Sequence, residues 1–120
     1  MNKKIELLDR TRKFAIRVFK LIDKLPKTES AKVITYQLLK SSSSVAANYR
    51  AVNRAKSKID FANKIKIVLE ESDESNFWLT FILDVELLKP SEEINFLIKE
   101  SDEFIAIFTA SLKTLANAKS

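Results

Sequence analysis

The sequence predicts an all-α fold: an antiparallel, up-down-up-down four-helix bundle occupying residues 1–120 as one domain. Three observations predict it. Glycine is absent and proline occurs only at Pro26 and Pro90, whereas an average chain of this length carries about eight glycines. Sheets need tight turns that recruit glycine, so its absence favours long helices and short polar links. Apolar residues recur every three or four positions through most of the chain, the period of a helix seam. The links between these segments span two to five residues, which makes neighbouring helices antiparallel.

The first helix is expected over Ile5 to Leu25. Leu8, Thr11, Ala15, Val18, Ile22 and Leu25 form its seam, with Leu7, Phe14 and Leu21 widening it. Arg10, Lys13, Arg17, Lys20 and Lys24 repeat on a different face. Pro26 stops the helix. The second starts near Thr28 or Ser30 and reaches Ala55, with Ile34, Ser41, Asn48 and Ala55 seven apart and Leu38, Val45 and Val52 between them. The third follows an S-x-x-D capping box, Ser57 and Asp60, and runs to Leu88. Ser91, Glu92 and Glu93 open the fourth, where acidic residues favour a helix start, and it continues to Ala118.

The stretch "SSSSVAANYRAVNRAKSK", residues 41–58, interrupts this apolar pattern with polar residues. Heptad position puts Ser41 and Asn48 on the seam. A helix 2–3 hairpin centred near Lys56 sets Ser41 beside Glu71 and Ser44 beside Val68. Ser41, Ser44, Asn48 and Glu71 are thus the expected buried polar layer. Buried polar groups need partners, and such layers commonly fix helix register.

Lys32, Tyr36, Lys40, Ser43, Ala47, Arg50 and Arg54 fall within an arc of about 80° on the opposite face of helix 2. Lys56 and Lys58 extend it around the turn. Several cations on one accessible face are what a phosphate backbone requires. Lys32, Lys40, Arg50, Arg54, Lys56 and Lys58 are therefore candidate nucleic-acid contacts, assisted by Arg10, Arg17 and Lys20 if helix 1 exposes them. Charge is divided along the chain: residues 1–69 hold 17 Lys/Arg against 5 Asp/Glu, and residues 70–120 hold 4 against 11. That division implies a polyanionic partner, or pairing between the halves within an assembly.

Cysteine and histidine are both absent, which removes thiolate chemistry and the commonest general acid/base and metal ligand. Glu70, Glu71, Asp73 and Glu74 crowd one stretch and read as a solvated face; metal-binding bundles spread Glu-x-x-His pairs over several helices. No enzyme activity, catalytic residue, metal or cofactor is expected. No apolar run approaches the roughly 20 residues of a membrane span, and "MNKKIELLDRTRK" lacks an apolar signal core. A cytoplasmic protein is expected.

"FWLTFIL", residues 77–83, and "FIAIF", residues 104–108, are apolar most of the way round a helix. One bundle needs a single buried stripe per helix. Trp78, Phe81, Phe104 and Phe108 are therefore expected at the interface of a homo-oligomer.

Residues 41–79 resemble the signature region of the small four-helix bundle family of 23S rRNA intervening-sequence (S23) proteins. The matching residues are Ser44, Val45, Ala47, Asn48, Tyr49 and Arg50, then Arg54, Ala55, Ser57, Lys58, Asp60 and Phe61. Lys64, Ile65, Glu71, Glu74, Trp78 and Leu79 continue the pattern. Ala46 stands where the family often has glycine, and Ala51 where it often has glutamate, which removes a partner for Arg54 or Lys58. The region is also similar to the accessory variability determinant proteins of diversity-generating retroelements. The resemblance implies a homopentameric ring with a basic surface, association with RNA or DNA, and, for the retroelement relatives, binding to a reverse transcriptase. Two functions are thus expected to compete: a module binding structured RNA, and a scaffold for a protein partner.

Overall fold

The computed structural model describes residues 2–118. Four helices account for most of them: α1 Lys3–Leu21, α2 Glu29–Val52, α3 Lys58–Asp84 and α4 Glu92–Ala118. No strand occurs among the described residues. A 3-10 turn, Ile22–Lys24, brings Leu25 into the core before Pro26.

Each start is capped by a side chain that accepts an otherwise unpaired backbone N–H. Asn2 Oδ1 accepts from Ile5 at 2.9 Å, Thr28 Oγ1 from Ala31 at 3.3 Å, Ser57 Oγ from Asp60 at 3.0 Å and Ser91 Oγ from Ile94 at 3.3 Å. The reciprocal half of the expected capping box takes a different donor. Asp60 Oδ2 accepts from the backbone N–H of Lys56 at 2.9 Å and so closes the link before the helix.

Three helix boundaries differ from expectation. α1 stops at Leu21 and α2 at Val52, each short of the apolar pattern. α3 ends at Asp84, a turn before Leu88. There the Leu87 N–H donates to Ile82 O at 3.0 Å and the Glu86 N–H to Leu83 O at 3.1 Å. This is a Schellman closure, which requires a left-handed residue after the helix. Glu86 supplies it at φ 59°, a conformation usually given to glycine.

The core lies along the axis where the helices meet. Phe14 and Phe104 pack edge to face at 5.4 Å, and Tyr49 packs on Phe108 at 5.5 Å. Leu38, Val45, Val68, Leu79, Ile82, Ile94 and Leu97 fill the space between. Each large side chain buried in this way contributes about 1.5–3 kcal/mol.

The α1 seam is rotated from its expected position. Its buried residues are Leu7, Thr11, Phe14, Val18 and Leu21, while Leu8 and Ala15 lie at the edge. Arg10 and Arg17 then stand only about 40–60° from Phe14, on the side facing α4.

The α2–α3 register is shifted by one turn. The Ser75 hydroxyl donates to Ser41 Oγ at 3.0 Å, and Ser44 lies beside the Glu71 carboxylate. Ending α2 at Val52 moves the hairpin centre from Lys56 toward Lys58, which brings Ser75 rather than Glu71 opposite Ser41. Of the expected polar layer only Ser41 is fully buried. Ser44, Asn48 and Glu71 are half-buried, and Asn48 bonds the Ser44 carbonyl within its own helix. A strict seven-residue repeat drifts round a straight helix by about 20° per heptad, so Tyr49 takes the core position and Asn48 the edge. The fully buried polar set is instead one of hydroxyls: Thr11, Ser41, Ser42, Ser72, Ser75 and Ser101. Most donate to a carbonyl three or four residues back, which satisfies them inside the helix and lets neighbours approach closely.

Candidate nucleic-acid interface

The basic residues fall into two sets. In the first, helix α1 delivers two arginines to carboxylates of α4. Arg10 donates to Glu100 Oε1 at 2.6 Å and Oε2 at 3.0 Å, and to Glu103 at 3.0 Å. Arg17 grips Glu93 through two bonds of 2.6 and 2.9 Å, and its guanidinium lies 3.8 Å over the Phe96 ring. Forked guanidinium–carboxylate pairs of this kind are among the stronger polar contacts. The bond to Glu93 raises the Arg17 pKa and holds the Glu93 carboxyl below its usual range. Arg10 and Arg17 are thus seam residues, which corrects their assignment to a nucleic-acid contact. Along these two helices the partner number falls as the α1 number rises.

The second set remains open to solvent. Lys20, Lys32, Lys40, Arg50, Arg54, Lys56 and Lys58 are all exposed. Lys32 approaches Glu29 at 3.9 Å. Among the described residues, Arg50, Arg54, Lys56 and Lys58 have no carboxylate within ion-pair distance. Lys40 and Arg50 lie on α2, Arg54 and Lys56 in the link after it, and Lys58 at the start of α3. Lys20 and Lys32, near the opposite end of the bundle, are separate from this group.

Arg50 also lines a groove of about 780 Å3 between α1 and α2. Arg12 faces it across a floor of Leu8, Ala15, Ala46 and Ala47. Sequence reading missed Arg12 because the five-residue basic repeat on α1 drew attention to Arg10 and Arg17. The signal was its place between Ile5 and Phe19 at seven-residue spacing, on the face those two residues also expose.

The four aromatics expected at an oligomer interface divide as well. Phe104 and Phe108 are 0% and 1% exposed within one chain. They fill the bundle's own core, and the interface expectation for them is corrected. Trp78 and Phe81 are half-buried and form a ring cluster with Phe77, which is 52% exposed. The indole N–H of Trp78 is buried without an acceptor among the described residues.

Among the described residues no group of three or more His, Cys, Asp or Glu side chains is arranged to hold a metal ion. None of the described helices is long and apolar enough to cross a membrane.

Comparison with known families places this geometry. The family model described as "23S rRNA-intervening sequence protein" matches residues 3–110. The chain belongs to that family. Its match spans all four helices, well beyond the motif of residues 41–79. Among solved structures, the chain resembles a protein of unknown function from the S23 ribosomal protein family of Bacteroides thetaiotaomicron. The two share 29% identity at a TM-score of 0.80, over 89% of this chain and 98% of that one. A search of curated proteins returns no match. Intervening-sequence family membership therefore secures the bundle, and the chemistry must be argued from the surface.

Proposed function

We propose that this member of the 23S rRNA-intervening sequence family is a non-enzymatic, cytoplasmic module that binds structured RNA. Its functional form is a homo-oligomer of up-down-up-down bundles, a pentameric ring by resemblance. One observation carries the reading: with Arg10 and Arg17 paired to α4, the cations Arg50, Arg54, Lys56 and Lys58, which have no ion-pair partner among the described residues, stand exposed together at the α2–α3 link, with Lys40 further along α2. A phosphate backbone needs such a surface and no base-reading motif. The family's name refers to 23S rRNA, which makes an rRNA hairpin the natural first probe. Exposed Ile16, Phe19 and Phe77 supply apolar area for contact between copies.

The test is fluorescence anisotropy of an rRNA hairpin across a salt series, with assembly mass followed by light scattering. Affinity is expected to fall steeply with salt. In Arg50→Ala/Arg54→Ala the magnitude of the log–log slope should drop by about two, roughly one for each phosphate that an arginine no longer neutralises. A flat titration with intact assembly would refute RNA binding. One observation favours a second reading, a scaffold for a protein such as a reverse transcriptase. Phe77 is exposed on α3 between acidic residues Asp73 and Asp84, a surface that repels phosphate.

A further inference from the structure

At the end of the bundle where α2 passes into α3, a pocket of about 540 Å3 opens beside the basic link. That volume lies within the range of small-molecule sites. Phe61 and Leu115 give it apolar wall, and the exposed Lys4, Lys56 and Lys58 also line it. Tyr49 lines it as well. Tyr49 as a residue is only 6% exposed, but its hydroxyl keeps contact with solvent and, among the described residues, has no hydrogen-bond partner. A phenol at a pocket wall with no partner from its own chain offers a donor and an acceptor to a ligand that displaces water there. The N-terminus of the 27-residue α3 lies at the same place and favours an anion. Asp60, the nearby acid, is already engaged by the Lys56 N–H at 2.9 Å and by Lys64 at 2.7 Å, which holds its carboxyl below the usual range.

We propose that this pocket binds a nucleoside monophosphate. The base lies against Phe61 and Leu115, the Tyr49 hydroxyl bonds the base or sugar, and Lys4, Lys56 and Lys58 hold the phosphate. Base-on-aromatic contact and ammonium–phosphate pairing are the two interactions that the pocket walls offer. The proposal deepens the RNA-binding reading and rests on it only for the ligand's source. A free nucleotide and the phosphorylated end of an RNA strand present the same chemistry.

Calorimetric titration with adenosine 5′-monophosphate tests the site in the full chain. Adenosine alone and inorganic phosphate alone should each bind at least about tenfold more weakly, because each forfeits one of the two interactions. Tyr49→Phe keeps the ring packing and should weaken binding about fivefold, the scale of one hydrogen bond. Lys56→Ala/Lys58→Ala should weaken it at least about tenfold. Tighter binding of a 5′-phosphorylated oligonucleotide than of its 5′-hydroxyl form assigns the ligand to an RNA end; equal binding of the two, with the monophosphate still bound, assigns it to free nucleotide. Absence of monophosphate binding, or affinity unchanged in both variants, overturns the site. A steep hairpin salt slope in that case leaves the surface reading standing. A flat slope with monophosphate bound removes the surface reading and keeps the pocket.

Discussion

Arg10 places its guanidinium 2.6 Å from Glu100, whereas Arg50 stands exposed with no carboxylate at ion-pair distance among the described residues. The two have the same side chain and different work because of where each falls around its helix. Glu100 is only 9% exposed. Truncating Arg10 to alanine leaves that carboxylate poorly solvated and unpaired, and should cost about 2–3 kcal/mol, measured by urea unfolding. The hairpin salt slope should not change in Arg10→Ala if α1–α4 pairing is its whole role. Glu93 and Glu71 predict opposite responses to pH. The Glu93 carboxyl is held low by Arg17, so its contribution is present above the ordinary carboxylate range and is lost as pH falls through the depressed value. The Glu71 carboxyl is raised, mainly by burial. Its contribution is full below the ordinary range and is lost as pH rises through the elevated value. Glu71→Gln should therefore raise the melting temperature near neutral pH, and that gain should vanish in acid. Glu93→Gln should lower it near neutral pH, and that loss should vanish in acid. Calorimetric melts of the three proteins from acid to neutral pH check both signs.

At the scale of the element, the helices were legible because periodicity and caps are local signals. Asn2, Thr28, Ser57 and Ser91 each sit one residue before, or at, a helix start. The ends were less legible. Nothing in "LDVELLKP" announces that Glu86 adopts φ 59°, because glycine, the usual mark of such a turn, is absent from the chain. Glu86→Gly should relieve the left-handed strain and stabilise the protein by about 0.5–1 kcal/mol, net of the entropy glycine adds to the unfolded chain; chemical denaturation measures it. The one-turn shift that sets Ser75 against Ser41 has the same origin. Register depends on where α2 stops, and apolar spacing continues past Val52 into the link. The unpaired basic face was readable from α2 alone. The capture of Arg10 and Arg17 by α4 was not, since it depends on residues 76 to 93 positions apart in the chain.

At the scale of the whole molecule, the charge division between the two halves resolves into two destinations. Part is spent inside one chain, where α4 acids meet α1 arginines. Another part stands exposed around the α2–α3 link as the cations Arg50, Arg54, Lys56 and Lys58, and on α3 as the acids Glu70 and Asp73 beside Phe77. In the proposed homo-oligomer the exposed Phe77 with its flanking acids on α3 is the face that would meet another copy, which leaves Arg50 open to phosphate. Phe77→Asp should reduce the assembly mass seen by light scattering while the helical signal persists, because its ring lies outside the core. An unchanged mass would show that α3 does not carry the contact.

Trp78 is the chain's single tryptophan, with its indole N–H buried and without an acceptor among the described residues, and its ring set edge-on to Phe77 at 4.9 Å. Both tyrosines, Tyr36 and Tyr49, belong to α2. The protein therefore carries its one indole on its acidic side, while the aromatic rings of α2 are tyrosines only, which light at the red edge of indole absorption does not excite. Ultraviolet emission excited at the indole band responds when something covers Phe77 or brings an acceptor to that N–H. It stays dark to an anion settling on Arg50 and Arg54. One unlabelled sample thus reports contact at the acidic face without interference from anions on the basic one.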